Sequence, residues 1–244
     1  MEELLKLNNV KKSFFSDEGE TEVISNLSFS VFENEVVSLI GPSGCGKSTI
    51  LNLIAKLEEQ NEGEILTNCE IGYMFQKDNL LPWLNVYKNV LLGLEIKKRL
   101  TKENEKYVSS LLKKYGLSKF ASYYPEELSG GMRQRVSLIR TLSLKPKLLL
   151  LDEPFSALDS QTRLFVQEDV KSIILQEKIS SLLVTHDISE AIALSERILI
   201  LSQRPLNIKK EIKLDYNKEL LPSLRRKEHN FSLYFNDIFN TLHY

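Results

Sequence analysis

The sequence has few cysteines and no long apolar run, and each scarcity excludes a class of protein. Its only cysteines are Cys45 and Cys69. Cys45 lies within a glycine-rich loop that a crosslink would obstruct, so we expect reduced thiols and no structural disulfide. The longest apolar runs, such as residues 148–151 and 198–201, are far shorter than the ~20 residues that a membrane-spanning helix requires. Residues 1–10 lack the basic start and apolar core of a secretory signal, so we expect a chain that crosses no bilayer and stays in the cytosol.

The sequence also lacks an excess of charge of either sign. Its 32 Lys and Arg residues balance 33 Asp and Glu residues, which gives a formal net charge of -1 at pH 7. Binding to nucleic acid usually requires a surplus of positive charge, so no nucleic-acid partner is expected. The chain has 244 residues, which is within the range of a single α/β domain, and its 42% hydrophobic and 27% charged residues argue against both disorder and a membrane-embedded protein.

Continuous apolar runs, each followed by a polar or glycine-bearing turn, are the main fold signal. Such runs predict strands that are buried on both faces, as in a parallel sheet covered by helices. They lie at residues 36–40, 148–151, 181–184 and 197–201. The helices predicted between them span residues 47–57, 160–176 and 188–194. This alternation predicts a wound α/β fold.

Three regions depart from this alternation. Residues 4–12 and 23–32 alternate apolar and polar side chains, which predicts an antiparallel sheet with one exposed face and a polar turn at residues 16–22. Residues from about 85 to 144 have helical spacing at 86–94, 102–115 and 131–142, which predicts an inserted helical subdomain.

A short extension is expected from about residue 205 to residue 244. It should contain a strand at residues 207–214 and a closing helix at residues 230–242. The apolar side of that helix is predicted to consist of Phe231, Tyr234, Phe235, Ile238 and Phe239. The basic run at residues 225–227 is expected on a solvated helix face, with contact to a membrane surface as a minor alternative.

The strongest local signal is a glycine-rich loop between a predicted buried strand and a predicted helix. Residues 41–48 read Gly-Pro-Ser-Gly-Cys-Gly-Lys-Ser, the pattern of a phosphate-binding P-loop. Its backbone amides and the following helix N-terminus would form an anion cradle, Lys47 would reach the β and γ phosphates, and Ser48 would hold magnesium. The predicted nucleotide-binding residues here are Gly41, Pro42, Ser43, Gly44, Cys45, Gly46, Lys47, Ser48 and Thr49.

Two carboxylates end a second predicted strand. Asp152 and Glu153 follow the apolar run at residues 148–151, and ligands gather at the carboxyl ends of strands in open α/β sheets. We predict that Asp152 completes the magnesium site and that Glu153 orients and polarises the attacking water. An ordinary acidic turn would explain either residue alone, but that explanation is weak in a chain that also has a P-loop, although a P-loop alone does not separate kinases, GTPases and motors.

Short motifs in a fixed order resemble those of ABC transporter ATPases. The sequence Leu-Ser-Gly-Gly-Met-Arg-Gln-Arg at residues 128–135 resembles the signature motif of that family. The other markers of the family also occur in the family's order along the chain. Phe14 takes the place of the aromatic residue that stacks on adenine, and Gln76 resembles the Q-loop residue. Residues 156–159 resemble the D-loop, and His186 resembles the switch histidine. The resemblance covers residues 4 to about 205. It implies an α/β fold with a P-loop NTPase core and a mostly parallel sheet, an N-terminal antiparallel β subdomain and an inserted helical subdomain.

The resemblance also implies cofactors, a partner and site residues. ATP and Mg²⁺ would bind between two copies arranged head to tail, so that Ser129, Gly130 and Gly131 of one copy face the P-loop of the other. The implied catalytic residues are Lys47, Gln76, Glu153 and His186, and the implied magnesium ligands are Ser48, Gln76 and Asp152. Met132 stands where the common signature has Gln, and activity should survive because Ser129 and backbone amides make the phosphate contacts.

Two further segments resemble importers of nitrate, sulfonates and taurine. These are residues 76–86, after the Q-loop residue, and residues 202–205, which read Ser-Gln-Arg-Pro. The resemblance implies a motor on the cytoplasmic side of the membrane that binds integral permease subunits and serves a solute-binding protein indirectly. Trp83 would lie on the permease-binding surface or pack in the helical subdomain, and these readings are equally favoured. With 244 residues, no separate regulatory domain is expected.

Two alternatives stay open. One is the motor of a lipoprotein-release or mechanotransmission complex, which has a similarly short chain. The other is an ABC ATPase without a transport function, although the paired cassettes, zinc-binding insertions and basic extensions common in that class are not evident in the sequence.

Overall fold

A computed structural model of the protein describes residues 2–17 and 19–243. Within them, two sheets form the body of the molecule. One has three antiparallel strands in the order β2-β1-β4, and the other has six strands in the order β5-β6-β7-β3-β8-β9. The larger sheet is parallel except for β9, which runs antiparallel to β8. The strands are β1 (Glu3–Ser16), β2 (Gly19–Phe32), β3 (Val36–Ile40), β4 (Glu62–Thr67), β5 (Ile71–Met74), β6 (Leu148–Asp152), β7 (Ser180–Thr185), β8 (Arg197–Leu201) and β9 (Ile208–Lys213).

The helices lie between these strands and after them. They are α1 (Lys47–Ile54), α2 (Val86–Ile96), α3 (Lys102–Lys114), α4 (Gly130–Leu142), α5 (Ser160–Glu177), α6 (Ile188–Leu194), α7 (Pro222–Arg225) and α8 (Asn230–His243). None of the helices in the described part of the chain is both long and apolar enough to cross a membrane. The predicted fold class is confirmed.

The central strands are apolar throughout because both faces of the sheet are covered. Leu149 and Leu151 of β6 pack into a core shared with α2, α3, α4 and α5. Leu148 and Leu150 point to the other face, into a core shared with α1 and the antiparallel sheet. Adjacent residues of a strand point to opposite faces, so a strand between two cores needs apolar side chains at every position.

The predicted polar turn at residues 16–22 is too long, because the turn begins only after Ser16. Strands β1 and β2 continue into it, with Phe15 paired to Glu20 and Ser16 to Gly19. Glu20, Thr21 and Glu22 are polar and exposed, but strand pairing is made by backbone groups and does not require apolar side chains. The predicted helix at residues 47–57 also ends early, at Ile54, and Lys56 has a left-handed φ of 58°.

The C-terminal extension is fastened to the larger sheet and α6. Ile238 of α8 is fully buried among residues of α6, β8 and β9, and Phe231, Tyr234 and Phe235 pack around it. Phe239, predicted on the same side, is instead 43% exposed.

The expectation of a solvated basic run in this extension is wrong for its first member. Arg225 is fully buried, and its guanidinium donates to the backbone oxygen of Ser195 at 2.5 Å and to the Glu196 carboxylate at 2.9 Å. A buried guanidinium needs such acceptors, and a sequence pattern does not reveal them.

Candidate functional site

The loop between β3 and α1 has the backbone of an anion cradle. Gly44 and Gly46 have positive φ angles of 75° and 120°, and a Cβ at Gly46 would lie 2.6 Å from Cγ1 of Val23. Glycine is therefore required at Gly46 both by conformation and by space. Gly46 is the N-cap of α1, no side chain caps this helix, and its first turn holds no acidic residue. The amides of the first turn are thus left to an anionic ligand.

Lys47 lies across the mouth of this cradle. Its side chain is largely buried, and its ammonium donates to the backbone oxygens of Gly41 at 2.8 Å and Pro42 at 2.9 Å. Cys45 contributes only backbone to the cradle, because its side chain is buried in the core behind the loop. That burial raises the pKa of the Cys45 thiol.

Ser48 and Asp152 meet across the sheet edge. The Ser48 hydroxyl donates to Oδ1 of Asp152 at 3.0 Å, which joins the start of α1 to the end of β6. Burial raises the pKa of the Asp152 carboxyl above its ordinary value; the Ser48 hydrogen bond opposes this shift and the charge of Glu153 adds to it. A hydroxyl beside a dehydrated carboxylate is an oxygen donor set of the kind that Mg²⁺ prefers.

The second oxygen of Asp152 contacts a residue that the sequence analysis did not select. Tyr73 of β5 directs its hydroxyl to Oδ2 of Asp152 at 3.4 Å and to Oδ1 of Asn52 at 3.1 Å. Burial, then the charge of Asp152, raises the pKa of Tyr73, so its hydroxyl stays protonated and can donate. Position is the signal that could have found Tyr73, since β5 lies beside β6 and ends just before Gln76.

Gln76, Glu153 and His186 come together from three segments. Oε2 of Glu153 accepts a hydrogen bond from Nε2 of Gln76 at 3.3 Å and lies 3.2 Å from Nδ1 of His186. Glu153 has a φ of 43°, an uncommon conformation for a residue with a side chain. Its backbone holds it there, since its N–H donates to Val184 at 2.9 Å and its carbonyl accepts from the Ser156 hydroxyl at 3.0 Å. Two residues singled out from the sequence, Gln76 and His186, thus contact one carboxylate oxygen of a third, Glu153.

The signature residues form a second cradle elsewhere in the same chain. Ser129 caps α4 and accepts from the backbone N–H of Met132 at 3.3 Å, while Gly130 and Gly131 begin the helix. A Cβ at Gly131 would lie 2.8 Å from Cγ2 of Thr162, so α5 packs directly against this end of α4. In residues 2–17 and 19–243, no hydrogen bond or ion pair joins Ser129, Gly130 or Gly131 to the P-loop, Gln76, Asp152, Glu153 or His186.

Arginines of α4 connect it to the segment that follows Gln76. Nε of Arg133 lies 3.0 Å from a carboxylate oxygen of Asp78, and Arg140 donates to the backbone oxygens of Asp78 and Asn79 at 2.6 and 2.7 Å. These contacts tie the signature helix to the neighbourhood of the Glu153 cluster.

Trp83, farther along this segment, is 70% exposed, which places it on the surface rather than in the core.

Phe14 lies apart from both clusters, near the hairpin end of β1. Its ring is 40% exposed, and the Lys12 ammonium lies 4.6 Å from the ring centroid. Val23 of the paired strand β2 contacts the P-loop at Gly46, so this hairpin flanks the cradle.

Comparisons with known proteins agree with this geometry. Residues 24–156 match the family described as ABC transporter. The chain is 41% identical over 237 residues to an aliphatic sulfonates import ATP-binding protein, SsuB, of Bacillus cereus, covering 91% of this chain and 93% of that protein. It is 43% identical over 229 residues to a formylaminopyrimidine import ATP-binding protein, ThiZ, of Halalkalibacterium halodurans, covering 93% and 88% respectively.

A solved structure shares the fold over nearly the whole chain. It is the dimeric post-hydrolysis state of the ATP-binding cassette MJ0796 bound to ADP and phosphate, and it matches with a TM-score of 0.76 and 34% identity over 88% of this chain and all of that one. With the P-loop, the paired acids and the ordered motifs in place, the chain belongs to the ABC transporter family and is an ATP hydrolase of the ABC type.

Proposed function

We propose that the chain is the motor subunit of a membrane importer, which couples ATP binding and hydrolysis to the uptake of a small solute such as a sulfonate, taurine or nitrate. The observation that carries this proposal is the identity of about two fifths with import ATP-binding proteins over nine tenths of the chain. Those proteins are named for aliphatic sulfonates and for formylaminopyrimidine, so the supported solute class is small and polar.

The Ser48, Asp152 and Gln76 side chains suit a magnesium ion that accompanies ATP. Their hydroxyl, carboxylate and amide oxygens are hard donors, and Ser48 and Asp152 are already within hydrogen-bond distance of each other. The ion would neutralise phosphate charge when bound. Tyr73 and Ser48 would hold the two Asp152 oxygens in place around it.

We assign the hydrolytic step to Glu153. Its Oε2 would accept a hydrogen bond from the attacking water and align that water with the γ phosphorus, while Gln76 and His186 keep the carboxylate in position. The P-loop amides and Lys47 would stabilise the negative charge on the phosphate oxygens as the bond to the β phosphate breaks. His186 is half exposed and could also contact the γ phosphate.

We further propose that the working unit is a head-to-tail pair. One chain carries a P-loop cradle and a signature cradle that share no hydrogen bond, and both are anion sites at a helix N-terminus. Two copies that face each other would therefore enclose two ATP molecules. ATP would favour the closed pair through contacts with both copies, and hydrolysis would remove that preference.

The remaining assignments follow from this architecture. The chain would act as one ATPase domain, with residues of about 85–144 as a helical subdomain and residues of about 205–244 as a short extension. It would lie on the cytoplasmic side of the membrane, bound to integral permease subunits and serving a solute-binding protein indirectly.

Reconstitution tests the proposal. The full chain should co-purify with an integral membrane subunit, and in proteoliposomes its ATPase activity should rise when a solute-binding protein loaded with a sulfonate is added. An unloaded binding protein is the control. Stimulation by DNA or ribosomes in the absence of a membrane subunit would contradict the importer assignment and favour a non-transport ABC ATPase.

A further inference from the structure

Lys12 is a buried cation whose ammonium is held in three directions. The residue is 9% exposed, and its ammonium donates to the backbone oxygen of Glu59 at 2.7 Å and to the Glu58 carboxylate at 3.3 Å. Its third neighbour is the Phe14 ring, whose centroid lies 4.6 Å away. Two of the three ammonium protons are thus used in hydrogen bonds, and the charge also lies against the ring.

The partners of Lys12 belong to the segment that follows the P-loop helix. Glu58 and Glu59 come shortly after α1 ends at Ile54. The same segment holds β1 on either side of Lys12, because Asn61 donates its N–H to Lys11 at 2.9 Å and accepts from the N–H of Ser13 at 2.7 Å. The strand at Lys12 is therefore fixed to the element that carries the phosphate cradle.

The Phe14 ring would otherwise be free to reorient. It is 40% exposed and lies near the hairpin end of β1, where the next residue, Phe15, is 72% exposed and the paired residue, Thr21, is exposed. A cation over one face of an aromatic ring attracts the ring and occupies that face. The opposite face remains for a flat ligand.

We propose that Lys12 is a positioning residue for the nucleotide base. It fixes the Phe14 ring against the segment that follows α1, so that the free face of the ring keeps a set position relative to the phosphate cradle. This inference rests on the proposed role of Phe14 as the residue that stacks on the base. Lys12 itself touches neither the base nor the phosphates.

The neighbouring Lys11 provides a matched control. Lys11 pairs with Glu62 at 2.6 Å, and both side chains are largely exposed. Lys11 and Lys12 are adjacent on one strand and differ in direction, burial and contact with Phe14. Lys11→Met removes one positive charge from this strand, as Lys12→Met does, but it leaves the contact between Lys12 and the Phe14 ring intact.

Competition binding with two ligands, one with a base and one without, measures how much each variant affects recognition of the base. The full chain and its Lys12→Met, Lys12→Gln, Lys12→Arg, Lys11→Met and Phe14→Ala variants would be titrated with ATP and with ribose 5′-triphosphate, each displacing a fluorescent nucleotide. Lys12→Met should weaken ATP binding by at most about two- to fivefold, because one cation–π contact can favour the set position of the ring by no more than that factor, and it should leave ribose triphosphate unchanged. Lys12→Arg should restore ATP binding, and Lys11→Met should leave both ligands unchanged.

The results distinguish a failure of the inference on Lys12 from a failure of the proposed role of Phe14. If Phe14→Ala weakens both ligands equally, or neither, the base does not stack there and the proposed role of Phe14 fails. Suppose instead that Phe14→Ala weakens the binding of ATP alone. If the Lys12 variants then bind both ligands as the wild type does, or bind both of them equally more weakly, the inference on Lys12 is overturned and Phe14 keeps its role. Lys12→Gln, which retains an N–H for the Glu59 oxygen, gives the same test if thermal melting shows that Lys12→Met does not fold.

Discussion

Replacement of Glu153 by Gln should stop hydrolysis and leave ATP binding intact. The amide has the shape of the carboxylate and retains an oxygen that can accept from Gln76, so the cluster around it should persist. The variant loses the charged oxygen that would take the proton of the attacking water. General-base catalysis typically contributes about 10²- to 10⁴-fold to a rate, so we expect kcat to fall by that factor.

Nucleotide affinity should stay the same or rise slightly in this variant. The P-loop amides and Lys47 are untouched by the change. The change also removes one negative charge close to Asp152, which lessens the repulsion of the anionic phosphates. ATP that is bound and not hydrolysed should then hold two copies together.

Three measurements check these expectations. Phosphate release gives kcat, equilibrium binding gives the affinity for ATP with magnesium, and light scattering during size exclusion gives the fraction of dimer. Glu103→Gln is the control, because Glu103 is exposed in the first turn of α3. Wild-type turnover in Glu153→Gln would refute the assignment of the base, and a folded variant that loses ATP binding would refute the separation of binding from chemistry.

Lys47→Met should fold but lose ATP binding or turnover, because the charge at the mouth of the P-loop is removed; calorimetric titration and phosphate release check this. Ser129→Arg should block the signature cradle, and a mixture of it with Lys47→Met should hydrolyse ATP although neither variant does alone, since a mixed pair contains one intact P-loop facing one intact signature. An inactive mixture in which mixed pairs are shown to form would count against the head-to-tail arrangement. Burial, followed by the charge of Asp187, raises the pKa of Glu190 to about 8, so the folded chain keeps a proton that the unfolded chain releases above its ordinary pKa of ~4.3. Stability should therefore fall as the pH rises from ~4.3 to about 8 and level off above that, and urea unfolding should show a flatter pH dependence and greater stability at alkaline pH for Glu190→Gln.

Some elements of the fold could be predicted from the sequence and others could not. The buried strands were predicted because β6 needs apolar residues on both faces, and helix α6 was predicted with its observed bounds. Strand β4 was missed, since its residues are mostly exposed and it is held by backbone pairing with β1. Backbone pairing leaves little trace in side-chain pattern.

In the candidate site, too, some residues could be predicted from the sequence and others could not. The order of the motifs singled out Gln76, Glu153 and His186, which lie far apart in the chain, and the structure places Gln76 and His186 against one oxygen of Glu153. Tyr73 and Lys12 carry no motif, and only their contacts with Asp152 and Phe14 distinguish them from other side chains. A supporting residue is defined by what it touches, which sequence spacing does not report.

The sequence by itself determined the α/β class, the phosphate loop and the family, because each depends on local periodicity or on motifs of fixed spacing. Only the tertiary structure decided that Arg225 is buried, that Lys12 lies over Phe14 and that, among the residues the structure describes, no hydrogen bond joins the signature cradle to the P-loop. These relations join residues from separate elements, and their distances are set by how the two sheets and the helices pack. Local patterns fix the elements, whereas packing fixes which side chains meet.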